Sequence, residues 1–179
     1  MTILQKIIEH RADDIMAYDV RNFHFSPIQN DRPSLYETLR NAQQLQVIAE
    51  IKRASPSKGD IAINVEPIKQ ASSYEKNGAA CISVLTEPHF FKGSYDDLHA
   101  VAKATSIPIL CKDFIVENIQ IDIAKAAGAS VILLIVAALP KEKLQHLLDY
   151  ATNKKLEILV EVHTKEELMI AIEVSAKII

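Results

Sequence analysis

Residues 3–18 place Leu4, Ile8, Ala12 and Ile15 at spacings of three or four, the period of an amphipathic helix. A polar stretch with Pro27 and Pro33 interrupts that pattern. Ser34 then opens a second short helix, with Glu37 placed for a capping box. From Val47 onward the period changes. Short runs rich in Ile, Val and Leu predict strands at 46–52, 81–86, 107–112, 131–137 and 157–162. Helical segments are predicted near 65–77, 95–105, 118–127 and 140–153, with another at 165–175. Gly78 and Gly128 fit the position just past a helix end, and Ser94 with Asp97 fits a helix start. Five strands with intervening helices imply parallel pairing through crossovers.

Two architectures suit this alternation: an open doubly wound sheet and a closed (β/α)8 barrel. The charged residues choose between them. Glu50 and Lys52 end the first strand, Lys112 and Asp113 the third, and Glu161 and His163 the fifth. A dinucleotide-binding sheet would concentrate its ligand loop as GxGxxG after the first strand, and the chain has four glycines and no such run. Charges spread over several strand ends suit the α/β class of the (β/α)8 TIM barrel. Residues 1–45 read as an N-terminal helical extension, and 46–179 as a partial barrel holding strands 1–5. The apolar ending from Ser175 to Ile179 reads as the start of strand 6, so the sequence is expected to be the N-terminal part of something longer.

Composition narrows the class further. At 179 residues, 49% of them hydrophobic and with charges of mixed sign, the chain has the profile of a soluble globular domain. A net charge of −3 gives no electrostatic argument for nucleic acid or an anionic membrane. The N-terminus has no continuous apolar run and carries acids, so it is neither a signal peptide nor a membrane span, and cytoplasm is the default. Cys81 and Cys111 lie inside apolar strands and read as buried free thiols.

Strand alternation then brings chemistry together. Glu50 and Lys52 share one face of the first strand, opposite Val47, Ala49 and Ile51. Along the third strand Leu110 and Lys112 oppose Ile109 and Cys111. Along the fifth, Leu159, Glu161 and His163 oppose Ile158, Val160 and Val162. If the apolar sets face the helices, Glu50, Lys52, Lys112 and Glu161 converge on the barrel mouth. They could supply a general acid, a general base and an anion clamp. A buried ion-pair network filling the barrel top is the alternative, although such networks add little stability for their desolvation cost. His10, His24, His89, His99 and His146 lack metal-ligand spacing. The segment 86–94, TEPHFFKGS, offers Phe90 or Phe91 either to an aromatic pocket or to a hydrophobic plug. No nucleophile elbow, P-loop, paired CxxC or HExxH supports a serine hydrolase, NTPase or zinc enzyme.

IAEIKRASPSKG at 48–59, SVLTEPHFFKGSYDDL at 83–98, IPILCKDFI at 107–115, VILLIVAAL at 131–139 and LVEVHTKEEL at 159–168 together resemble the indole-3-glycerol-phosphate synthases. The resemblance implies a (β/α)8 barrel with an N-terminal helical segment. It also implies a carboxy-lyase of tryptophan biosynthesis that needs no metal or organic cofactor. Its small phosphorylated substrate would be 1-(2-carboxyphenylamino)-1-deoxyribulose 5-phosphate, closed to indole-3-glycerol phosphate with loss of carbon dioxide and water. By resemblance, Lys112 is the general acid and Glu161 the general base. Lys52 binds the substrate carboxylate, and Glu50 positions the lysines. Ser55 is expected near the substrate, with Phe91, Phe114 and Leu133 seating the anthranilate ring. Cys111 departs from the Arg or Met expected before the lysine, but it points away from the mouth.

The resemblance also places the family's phosphate-holding loops beyond Ile179. The chain alone is therefore expected to have little or no synthase activity, and its open sheet edges are expected to favour self-association. Two alternatives stay open on sequence grounds. One is another sugar-phosphate barrel, isomerase or aldolase-like. The other is a non-catalytic barrel fragment acting through its edges.

Overall fold

The computed structural model describes residues 1–28 and 31–179. Strands β1 (Ile48–Ile51), β4 (Cys81–Leu85), β5 (Ile109–Lys112), β6 (Val131–Ile135) and β7 (Glu157–Glu161) form one parallel sheet, each beside its predecessor. Each is followed by a helix: α3 (Pro67–Lys76), α4 (Tyr95–Ala104), α5 (Asn118–Ala126), α6 (Lys141–Asn153) and α7 (Lys165–Glu173). The result is five successive β/α units in barrel order, as the alternation predicts. Gly78 and Gly128, just past α3 and α5, take φ of +84° and +100°, which closes those helices without a Cβ penalty. Ser94 Oγ accepts the Asp97 N–H at the start of α4.

Period-two alternation partitions the core. Ile51, Ile82, Val84, Ile109, Cys111, Ile132, Leu134 and Val160 pack toward the helices. Cys81, Leu110, Val131, Leu133 and Ile135 pack inside the curve of the sheet, with Leu159 against them. The lysines and carboxylates at the strand ends continue the inner rows. Helix α2 (Leu35–Arg40) closes the opposite end, where fully buried Leu35 joins the inner cluster.

The structure corrects several details. Helix α1 (Ile3–Met16) turns its buried face through Ile7 and Arg11, while Ala12 is exposed. Only half of the expected capping box forms at α2. Ser34 Oγ accepts the Glu37 N–H, but the Glu37 carboxylate accepts from Asn41 Nδ2. The segment after β1, between the predicted strand at 46–52 and the helix near 65–77, forms a small hairpin of β2 (Ala54–Ser55) and β3 (Gly59–Asp60). β6 stops at Ile135, and Val136–Ala138 form a 3-10 turn. Near the C-terminus Ile178 makes a single parallel bridge to Leu159. Gln29 and Asn30, within the polar stretch between Pro27 and Pro33, lie outside the described residues.

Candidate active site

The C-terminal ends of β1, β5 and β7 carry a connected row of charges. Lys52 Nζ lies 2.5 Å from Glu50 Oε1. Lys112 Nζ stands between two carboxylates, 3.9 Å from Glu50 Oε2 and 3.6 Å from Glu161 Oε2. His163 Nε2 extends the row, 3.6 Å from Glu161 Oε1, although His163 is largely exposed. The four strand-end charges are each about one-third exposed, open enough to meet a ligand and enclosed enough to hold each other in place.

Glu50, Lys52, Lys112 and Glu161 line a cavity of about 170 Å³ together with Phe91, Phe114 and Leu133. The Phe91 and Phe114 rings are 5.7 Å apart and tilted by 34°. Ser55 lies outside this cavity, on the hairpin. It lines an adjoining groove of about 630 Å³ with Lys52, Phe91, Phe114 and the α1 residues Ile3, Leu4 and Ile7. Of the eight residues singled out from the sequence, seven therefore share one cavity and Ser55 sits at its entrance. Cys111 points toward the helices, its Sγ 3.5 Å from Thr86 Oγ1.

The loop bearing Phe91 is built around Glu87, a fully buried carboxylate. It accepts the backbone N–H groups of His89 at 3.0 Å, Phe90 at 2.7 Å and Phe91 at 2.9 Å. Three converging donors replace the water a buried carboxylate loses. Lys92, the next residue, takes a left-handed φ of +54°. The Arg53 guanidinium joins this loop to α4, donating to the Lys92 carbonyl at 3.2 Å and to both oxygens of Asp97. The hydrogen bonds to Asp97 hold the Arg53 guanidinium above its ordinary pKa.

On the other flank, Arg11 of α1 grips Asp113, the residue after Lys112. Arg11 Nε and Nη2 donate to the two Asp113 oxygens at 3.0 and 2.8 Å, and both side chains are fully buried. Burial alone would lower the guanidinium's pKa. Asp113, followed by Tyr95 and Tyr18, outweighs that cost and shifts it upward. Sequence reading missed Glu87 and Arg11. Arg11 recurs four residues after Ile7 on the helix, a signal that a cation among apolar residues tends to hide. Among the described residues no group of three or more His, Cys, Asp or Glu could hold a metal ion.

Known proteins resemble this chain along most of its length. A family model described as indole-3-glycerol phosphate synthase matches residues 4–179. Proteins named indole-3-glycerol phosphate synthase from Oceanobacillus iheyensis and Exiguobacterium sibiricum are each 50% identical, over 154 and 151 residues. These alignments cover 86% and 84% of this chain and 59% and 58% of the relatives. One from Bacillus cereus is 51% identical over 156 residues, 86% of this chain and 59% of the relative. The chain thus spans a little under three-fifths of the curated relatives it matches. A crystal structure of D-glucarate dehydratase from Agrobacterium tumefaciens superimposes with a TM-score of 0.53 at 13% identity, covering 78% of this chain and 36% of that one; it shares the fold alone. With residues 4–179 matched by the family model, the chain belongs to the indole-3-glycerol phosphate synthase family of (β/α)8 barrels.

Proposed function

We propose that the chain carries the acid–base half of an indole-3-glycerol-phosphate synthase site, acting on 1-(2-carboxyphenylamino)-1-deoxyribulose 5-phosphate. The observation that carries the reading is the placement of Lys112 between Glu50 and Glu161 over a cavity walled by Phe91, Phe114 and Leu133.

In this reading the anthranilate ring lies between Phe91, Phe114 and Leu133, and Lys52 pairs with its carboxylate. The ring carbon bearing that carboxylate attacks the ketone carbon while the Lys112 ammonium gives its proton to the ketone oxygen. A positioned ammonium stabilises the developing alkoxide more than the neutral ketone, so it accelerates the step. Loss of carbon dioxide restores the aromatic ring and releases Lys52 from its partner. Lys52 can then protonate the departing hydroxyl as Glu161 takes a proton from the neighbouring methylene carbon. That expels water and completes the indole. Glu50, bonded to Lys52 and facing Lys112, keeps the two ammonium groups apart and oriented. Ser55, on the hairpin at the entrance, contacts the substrate from the mouth. Every proton given or taken is accounted for by these side chains, so the scheme calls on no cofactor.

The same reading places the protein in a reducing compartment such as the cytoplasm, supported by two buried cysteines that form no disulfide. No helix among the described residues is long and apolar enough to cross a membrane.

The test is turnover by the protein that carries this chain, followed through the ultraviolet absorbance of the new indole ring. Lys112→Ala should lower kcat by about 100-fold or more while leaving the far-ultraviolet dichroism unchanged. Turnover at the unaltered rate would sink the assignment. Borohydride trapping of a Schiff base at Lys112 would favour an aldolase-like barrel instead.

A further inference from the structure

Asp113 is unusual among the residues around the cavity because its carboxylate is wholly occupied. Besides the two bonds from Arg11, it accepts from Thr86 Oγ1 at 2.7 Å, from the Tyr95 hydroxyl at 3.0 Å and from the Phe114 N–H at 2.8 Å. On the preceding residue, the Lys112 carbonyl accepts the Thr86 N–H at 3.1 Å. Both sides of the Lys112–Asp113 peptide are therefore pinned, and the ammonium of Lys112 and the ring of Phe114 project from a segment with little freedom to turn.

Arg11 supplies the part of this clamp that comes from outside the barrel. Every N–H of its guanidinium has an acceptor: Asp113 for Nε, Asp113 and Tyr95 for Nη2, and Asp14 and Tyr18 for Nη1. A buried bidentate ion pair costs more in desolvation than an apolar contact of the same size. It fixes orientation in return, since the planar fork fits a carboxylate in one way. Arg11 lines neither the cavity nor its entrance groove.

We propose that Arg11 is a positioning residue for Lys112, acting through Asp113 to hold the ammonium in register with Glu50 and Glu161. The proposal rests on the synthase reading, in which Lys112 is the proton donor. It makes α1 part of the acid–base apparatus and not only a cover for the mouth.

The experiment reads the place of Lys112 directly, without substrate. Lysines of the chain are dimethylated with 13C-formaldehyde, which keeps their charge. The Lys112 signal is identified by its absence in Lys112→Arg. The readout is the displacement of that signal caused by Glu161→Gln, a coupling measured as in a double-mutant cycle. In the unaltered background Glu161→Gln should displace it. In Arg11→Gln/Asp113→Asn, which removes both charges together, the displacement should be lost while the signal of Lys154, paired with Asp122, stays in place. Arg11→Lys, which keeps the charge but not the fork, should give a reduced displacement. A full displacement in the folded double variant overturns the proposal, as does the lack of any displacement in the unaltered background. Should the double variant lose its helical dichroism, Arg11→Lys decides: an undiminished displacement overturns the proposal. Failure of the synthase reading would show separately, as unaltered turnover in Lys112→Ala.

Discussion

Glu157 Oε2 accepts the backbone N–H of Leu35 at 2.6 Å, joining residues 122 positions apart. The other oxygen accepts the Tyr36 N–H at 3.2 Å and the Ser34 hydroxyl. A carboxylate from the first residue of β7 thus sits at the N-terminus of α2, where unpaired N–H groups and the helix dipole favour negative charge. The contact holds the fully buried Leu35 in the end of the barrel away from the charged row. Glu157→Ala should cost about 1–2 kcal/mol in denaturant unfolding. Amide exchange should speed up over Leu35–Arg40. Unchanged exchange there would show that packing of Leu35 alone seats the helix.

Gly93 packs against the end of β4 with no room for a side chain: a Cβ built there would lie 2.1 Å from the Leu85 carbonyl oxygen. That neighbour is backbone in a central strand and cannot yield. Gly93→Ala must therefore displace the 87–93 loop, along with the bond from the Gly93 N–H to the Glu87 carbonyl. The expected loss is about 1–3 kcal/mol of stability, the usual range for overpacking. Phe91 should leave its place beside Phe114, which would appear as a change in the ring resonances of both. Retained ring contacts in Gly93→Ala would refute this account of the loop.

The residues visible from sequence share a cause, and so do those that were not. Glu50, Lys112 and Glu161 stand out because period-two alternation puts a charge on the inner face of an apolar strand, a local contradiction readable within five residues. The β/α order is legible for the same reason. Arg11 and Glu87 have no such local sign. Arg11 is explained only by Asp113, 102 residues away, and Glu87 only by the turn of its own loop around it. The β2–β3 hairpin pairs only two residues per strand, too few to show an alternation. The buried face of α1 was placed one position off because its center is an arginine. In each case the missing information is a partner, not a propensity.

Cys81 and Cys111 are both fully buried, and burial dominates their chemistry. It pushes the Cys81 thiol up to about 12 and shifts that of Cys111 further upward, with the nearby Asp113 adding to the effect. Neither should form thiolate in the native state at neutral pH, and thiolate is the reactive form. Ellman's reagent should therefore find no thiol in the native chain and both after unfolding in guanidinium. Rapid native reaction of either would mean that the sheet opens locally.

Asp14 ties α1 to the loop above β4, with His89 Nε2 3.0 Å from its Oδ1 and Arg11 Nη1 2.7 Å from its Oδ2. Burial alone would raise the pKa of this carboxyl. The hydrogen bonds from His89 and then Arg11 outweigh it and hold the group below its ordinary value of 3.8. A carboxyl whose folded pKa is depressed binds fewer protons folded than unfolded. Its contribution is therefore present above the ordinary value and lost as pH falls through the lower, folded one. Acid should release α1 along this route while Arg11 stays charged. Amide exchange over Ile3–Met16, corrected for intrinsic rates, should accelerate progressively below about pH 5. Asp14→Asn removes the titrating group, so its α1 should exchange faster at neutral pH and show a flatter acid dependence. If Asp14→Asn and the unaltered chain follow the same acid profile, the helix is held by Arg11 and packing alone, and Asp14 has no part in its pH response.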